Sequence, residues 1–213
     1  MNERGVTSLV VAWIVVLMLF TAGAAEADPH DRNRQLRGDY AFSGAHTCLV
    51  SIGGFDPDLT PANFPAPFPF VNSFSIQGVR TFNGDGTGQV VARSVSVSHP
   101  YALPNPAPPH FFSRGGAGSS DVAANFTYEV APDRTLTIGP TTVTGTILTG
   151  TRTGQTFTIV NVPPLVGLIS KSHKTLTIAH DEPGVETISY SNGDVHHRIC
   201  PRARIHLELR DGD

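Results

Sequence analysis

The chain has 213 residues, with 15 Lys+Arg against 18 Asp+Glu, a formal net charge of −3, and no basic stripe or charge run. That balance excludes nucleic acid and anionic membrane surfaces as partners. Glycine and proline are plentiful (21 and 17 residues) and no amphipathic helix can be traced, so the composition points to many short strands and an all-β fold.

Residues 1–27, MNERGVTSLVVAWIVVLMLFTAGAAEA, open with Arg4 and continue into an apolar run that ends in small residues. Ala25-Glu26-Ala27 fits the A-x-A cleavage pattern, so this stretch reads as a secretory signal peptide. A retained anchor is the competing reading, because about 17 apolar residues approach the shortest spanning length. Removal leaves no membrane span and an exported protein, periplasmic or extracellular. Residues 28–37 read as a flexible lead-in, and residues 38–213 as a single domain.

The first strand begins at Gly38. Alternation puts Tyr40, Phe42, His46, Cys48 and Val50 on one face, with a bend near Gly44. Residues 53–70 are too proline-rich for a strand interior, and they carry Phe55, Phe64, Phe68 and Phe70. A connection this long reads as a lid or binding loop. The stretch 72–98 is the sharpest local signal: two strands joined at Asn83-Gly84-Asp85-Gly86. A two-residue turn there pairs even positions of the first strand with odd positions of the second. One face then carries Phe74, Ile76, Arg80 and Phe82 with Val91, Arg93, Val95 and Val97. A second proline-rich connection, 99–120, holds Tyr101, Phe111 and Phe112.

Regular hairpins follow. Phe126, Tyr128 and Val130 share a face, as do Leu136 and Ile138, and the last strand alternates Ile205, Leu207 and Leu209 with His206, Glu208 and Arg210. Counting onward gives about ten to twelve strands, the rhythm of an antiparallel up-and-down β-barrel, with a β-sandwich as the alternative. Cys48, in the first strand, and Cys200, just before the last, are expected to form a disulfide in an oxidising compartment. Such a bridge makes neighbours of the two ends of the sheet, as barrel closure requires. A membrane barrel fits less well, since the strand faces are Thr/Ser-rich and aromatic girdles are missing.

The same two-residue pairing rule at Asn192-Gly193 places Ile188, Tyr190, Val195 and His197 on one face. The expected inner wall therefore includes Arg80, Arg93 and His197, with Tyr40 and Tyr128 as polar handles. Charges inside a small barrel are costly unless paired, so the arginines are expected to grip an anionic group while the apolar remainder holds hydrocarbon. Arg80, Arg93, Tyr128, His197, Phe74 and Phe82 are the candidate ligand-binding residues for a small apolar or amphipathic molecule. The alternatives are that the arginines snorkel at the mouth, pair with Asp39 or Glu129, or face outward.

His196-His197 cannot chelate one ion, because adjacent strand residues point to opposite faces. The Asn83–Gly86 run lacks the spacing of a calcium loop. No metal and no cofactor is expected. No G-x-S-x-G, H-E-x-x-H, C-x-x-C or Walker-type motif occurs. Two further functions stay open: a barrel cyclase or isomerase with His197 or a tyrosine as acid/base, and a partner-binding module that uses Phe55, Phe64, Phe68, Phe70, Phe111 and Phe112.

The runs L-R-G-D-Y-A-F-S-G (36–44) and G-V-R-T-F-N-G-D-G-T-G-Q-V (78–90) resemble a set of exported bacterial β-barrel proteins. These are similar in outline to the calycins, which include lipocalins and fatty-acid-binding proteins, and to the allene oxide cyclase barrel. The lipocalin G-x-W signature is absent, since the single tryptophan, Trp13, lies in the leader. On the fatty-acid-binding side the resemblance implies interior arginines holding a carboxylate, and on the cyclase side an isomerase with an apolar pocket.

Overall fold

A computed structural model describes residues 32–62, 69–99 and 115–209. The leader at 1–27, Phe64, Phe68, Tyr101, Phe111 and Phe112 lie outside the described residues. Among the described residues the twelve elements are all strands: β1 (Arg37–Ser51), β2 (Phe70–Asn83), β3 (Thr87–Ser98), β4 (Gly116–Val130), β5 (Thr135–Ile138), β6 (Thr141–Thr149), β7 (Thr156–Val162), β8 (Leu165–Ile169), β9 (Thr175–Ala179), β10 (Val185–Tyr190), β11 (Val195–Ile199) and β12 (Ala203–Glu208). They form one antiparallel sheet that closes in a ring, a barrel-like all-β fold.

The ring has a simple logic. β1 to β4 are long and unbroken, 12 to 15 residues each. The later strands come in collinear pairs. β5 and β6 both run antiparallel along the free edge of β4, β5 at Tyr128–Val130 and β6 at Ser119–Ala123. β8 then pairs β5 while β7 pairs β6; β9 pairs β8 while β10 pairs β7; β12 pairs β9 while β11 pairs β10. Finally β11 and β12 both line the remaining edge of β1. The twelve segments therefore amount to an up-and-down meander of eight strands, four continuous and four interrupted.

Each interruption carries proline: Pro140, Pro163-Pro164, Pro183 and Pro201. Proline cannot donate to a ladder, so it splits a strand without ending the meander. Asn161, at φ 59°, adds a left-handed residue just before the second break, and the inward-facing positions shift there from Ile159 to Val162. The breaks lie side by side, forming a loosened belt around half of the barrel wall.

One end is filled. Leu36, Tyr40, Phe82, Phe126, Tyr128, Leu136, Ile138, Ile169 and Leu176 form the main apolar cluster. Residues expected as a loose lead-in contribute to it: Leu36 is wholly buried, and the Asn33 side chain accepts a hydrogen bond from Val130 N at 2.9 Å. The two proline-rich connections, β1 to β2 and β3 to β4, leave from the opposite end. Cys48 and Cys200 form a disulfide across the seam between β1 and the β11–β12 pair. Among the described residues no helix is long and apolar enough to cross a membrane.

Both Asn-Gly hairpins differ from the expected register by one residue. In the first, Phe82 pairs Gly88 and Arg80 pairs Val90, so even faces even. The loop holds three residues, with Gly84 at φ 83° and Gly86 at φ 90°. At Asn192-Gly193, Ile188 pairs His196 and Thr187 pairs His197. Gly193 N bonds Tyr190 O and Tyr190 N bonds Asp194 O, a tight turn followed by a left-handed glycine at φ 92°. An Asn-Gly pair serves a two-residue turn and this three-residue form equally well, and the extra residue reverses the face of everything beyond it.

Candidate functional site

The reversal decides which side chains reach the interior. Arg80 on β2 points inward and is only 3 % exposed. Arg93 on β3 does not: it sits on the outer wall, where Nε and Nη2 donate to Asp121 at 2.7 and 3.0 Å. Val91, Val95 and Val97 go outward with it, while Val90, Ala92 and Ser94 face in. His197 is likewise on the outer face, its Nδ1 3.2 Å from Thr187 Oγ1, and His196 takes the inward position. On β12, Ile205 and Leu207 are exposed and His206 is fully buried.

Of the other expected ligand contacts, Phe74 lines the interior, stacked on His46 with ring centroids 5.0 Å apart. Phe82 and Tyr128 belong instead to the filled end. The Tyr128 hydroxyl accepts from Gly84 N at 3.0 Å and donates to Leu36 O at 2.8 Å. Tyr40 donates to His173 O at 2.8 Å, and burial pushes its hydroxyl up to about 12. Both tyrosines brace the floor.

Above that floor lies a cavity of about 120 Å³, far more than the roughly 10–15 Å³ that one water needs. Its walls are mostly apolar, including Ile76, Val90, Val122, Phe126, Ile159 and Leu165, and the strand breaks contribute Gly139 and Pro163. Four arginines line it: Arg80, Arg198, Arg202 and Arg204. Sequence reasoning found only the first. The signal for the others was present, because Cys200 must face inward to meet Cys48, and Arg198, Arg202 and Arg204 share its parity.

Glu186 at the start of β10 is fully buried and is the one buried acid among the described residues. It accepts from Arg198 Nε at 2.7 Å and from Arg202 Nη2 at 2.6 Å, with a further bond from Arg202 Nη1 to its other oxygen. Burial alone would raise its carboxyl, but the Arg198 and Arg202 charges and their hydrogen bonds hold it down at about 2. Arg80 has no such partner: its Nε and Nη1 are enclosed without a hydrogen bond. Its guanidinium rests 5.0 Å from the Phe126 ring centre and 5.9 Å from that of Phe42, and desolvation lowers it to about 10. Arg204 is similar, with Nε enclosed and unpartnered and the guanidinium 5.1 Å from Phe42. Burial, then the charges of Arg80 and Arg202, push it well below the ordinary arginine range.

The surrounding histidines are neutral. Burial, followed by the nearby arginines, holds His206 at about 2 and His46 at about 3; burial and Arg152 hold His196 at about 4. These bases titrate normally when the chain is unfolded, so the stability linked to them is fully present above pH 6.5. It is lost as the pH falls below 6.5 toward the folded values. His206 alone is expected to remove about 1.4 kcal/mol of stability per pH unit in that window. Thermal melts between pH 7.5 and 5 test this: Tm is expected to drop steadily, with a shallower slope for His206→Phe. A flat profile in the parent protein would show that the rings charge freely in the fold.

No known family model matches this chain, and no curated protein matches it. Of what the resemblance implied, the barrel-like ring of antiparallel strands is present in the structure.

Proposed function

We propose that this protein is an exported barrel that binds a small apolar or amphipathic anion in its interior. One observation carries the reading: Arg80, a buried cation with two unpartnered nitrogen donors, lines a mostly apolar cavity. A buried guanidinium without a counter-charge costs several kcal/mol, and an anionic head group held by charge-assisted hydrogen bonds offsets that cost. The apolar walls then take the hydrocarbon part. The disulfide fits an oxidising compartment, in line with export. Of the groups nominated for the cyclase alternative, His197 or a tyrosine, His197 lies on the outer face.

The test compares two arginines. Arg80→Leu is expected to weaken binding of a medium-chain carboxylate at least tenfold, measured by calorimetric titration, while raising the melting temperature of the ligand-free protein. Arg93→Ala, outside the barrel, leaves both unchanged. Equal binding by parent and Arg80→Leu would remove Arg80 from the site, and absence of binding by the parent would end the carrier reading.

A further inference from the structure

We propose that the ligand's head group is a dianion of the phosphate-ester kind, seated between Arg80 and Arg204; this rests on the interior-binding reading above. Four guanidiniums line the cavity against one carboxylate, and the histidines beside them, His46 and His206, are uncharged. Among the described residues the interior therefore carries three unmatched positive charges. Arg198 and Arg202 already direct their donors at Glu186, which leaves them oriented but only partly neutralised. The enclosed donors without a hydrogen-bond partner include Nε and Nη1 of Arg80 and Nε of Arg204.

Those open donors come from two different strands, β2 and β12, which flank β1. The two guanidiniums converge on one inward side chain of that strand, with ring-centre distances to Phe42 of 5.9 and 5.1 Å. A carboxylate offers only two coplanar oxygens, both of which are used up when it takes two guanidiniums, as at Glu186. A tetrahedral phosphate has three outward oxygens, and so can accept from both guanidiniums while an ester oxygen carries the chain toward the apolar wall. Charge points the same way. A monoanion leaves two positive charges unmatched in a low-dielectric space, whereas a dianion leaves one.

Isothermal titration of the full exported chain at pH 7.5 with hexyl phosphate, hexanoate, hexanol and inorganic phosphate tests this. Hexyl phosphate is expected to bind at least tenfold tighter than hexanoate. Arg204→Gln is expected to bring the two within about threefold of each other. Equal affinity of the parent for hexyl phosphate and hexanoate would overturn the dianion seat and leave the carrier reading standing. No binding by any of the alkyl probes would overturn that reading as well. Inorganic phosphate binding as tightly as its hexyl ester would uphold the seat and identify the free dianion as its occupant. An unchanged preference in Arg204→Gln, with circular dichroism confirming the fold, would remove Arg204 from it.

Discussion

Glu186→Gln is expected to destabilise the protein by about 3–5 kcal/mol, the cost of stripping one partner from a buried ion network. The carboxylate is fully enclosed and takes hydrogen bonds from two guanidiniums. A neutral amide keeps the shape but removes the charge, and it presents an N–H₂ group toward donors that need an acceptor. Four arginines then face one another with no acid among them. A loss of this size approaches the whole stability of a typical domain, about 5–15 kcal/mol. Urea unfolding measures it, with the midpoint falling at constant m-value if the folded state keeps its compactness. The companion variant Glu186→Leu/Arg198→Met/Arg202→Met replaces the network by apolar side chains, and it is expected to recover most of the loss, because a well-packed apolar core avoids desolvating charge at all. If Glu186→Gln instead melts like the parent, the guanidiniums are reached by water or counter-ions, and the interior is not the dry, charged site described above.

Much of the architecture could be read from the chain, because strand rhythm and cysteine position are local signals. Tyr40, Phe42, His46, Cys48 and Val50 alternate toward the interior as their spacing requires, and so do Phe126, Tyr128 and Val130. The bridge between Cys48 and Cys200 brings the first strand to the last. The site was legible only in part, and the reason is geometric. Asn-Gly marks where a hairpin turns, but not whether two or three residues form the loop, and each extra residue reverses one strand's faces. Arg93 and His197 went to the outer wall for that reason alone. β-branched residues gave no protection against the error, since Val91, Val95 and Val97 suit a strand whichever way they point. A covalent constraint would have been the safer guide. Counting by twos from Cys200 reaches Arg198, Arg202 and Arg204 inside and leaves His197 outside. Glu186, the one buried acid among the described residues, sits opposite Arg198 in the Asn192-Gly193 hairpin, so the same loop error put the acid and its arginine on different faces.

Replacing both cysteines with alanine is expected to cost roughly 5 kcal/mol and to lower Tm by about 10–20 °C, the second large effect. The bridge joins residues 152 apart in the chain, so its loss frees nearly the full length of the barrel in the unfolded state. The folded state changes less. β1 still pairs β12 through Tyr40–Ser43 and β11 through Leu49–Ser51, and Cys48 packs with Val50 and Phe70. The double variant should therefore keep its far-ultraviolet spectrum and its ligand affinity well below Tm, while unfolding at much lower denaturant. Parallel measurements on parent protein treated with a dithiol reductant check that the bond, not the alanine packing, is responsible. The position of the bridge adds a further expectation. It staples the seam within two residues of both Arg198 and Arg202, whose charges repel each other and that of Arg204. Opening the seam lets those guanidiniums regain water, so the variant should unfold more readily at low ionic strength, and added salt should narrow its gap to the parent by screening the repulsion. A gap that salt does not change would mean that Glu186 already neutralises the seam, and that the bridge acts through chain entropy alone.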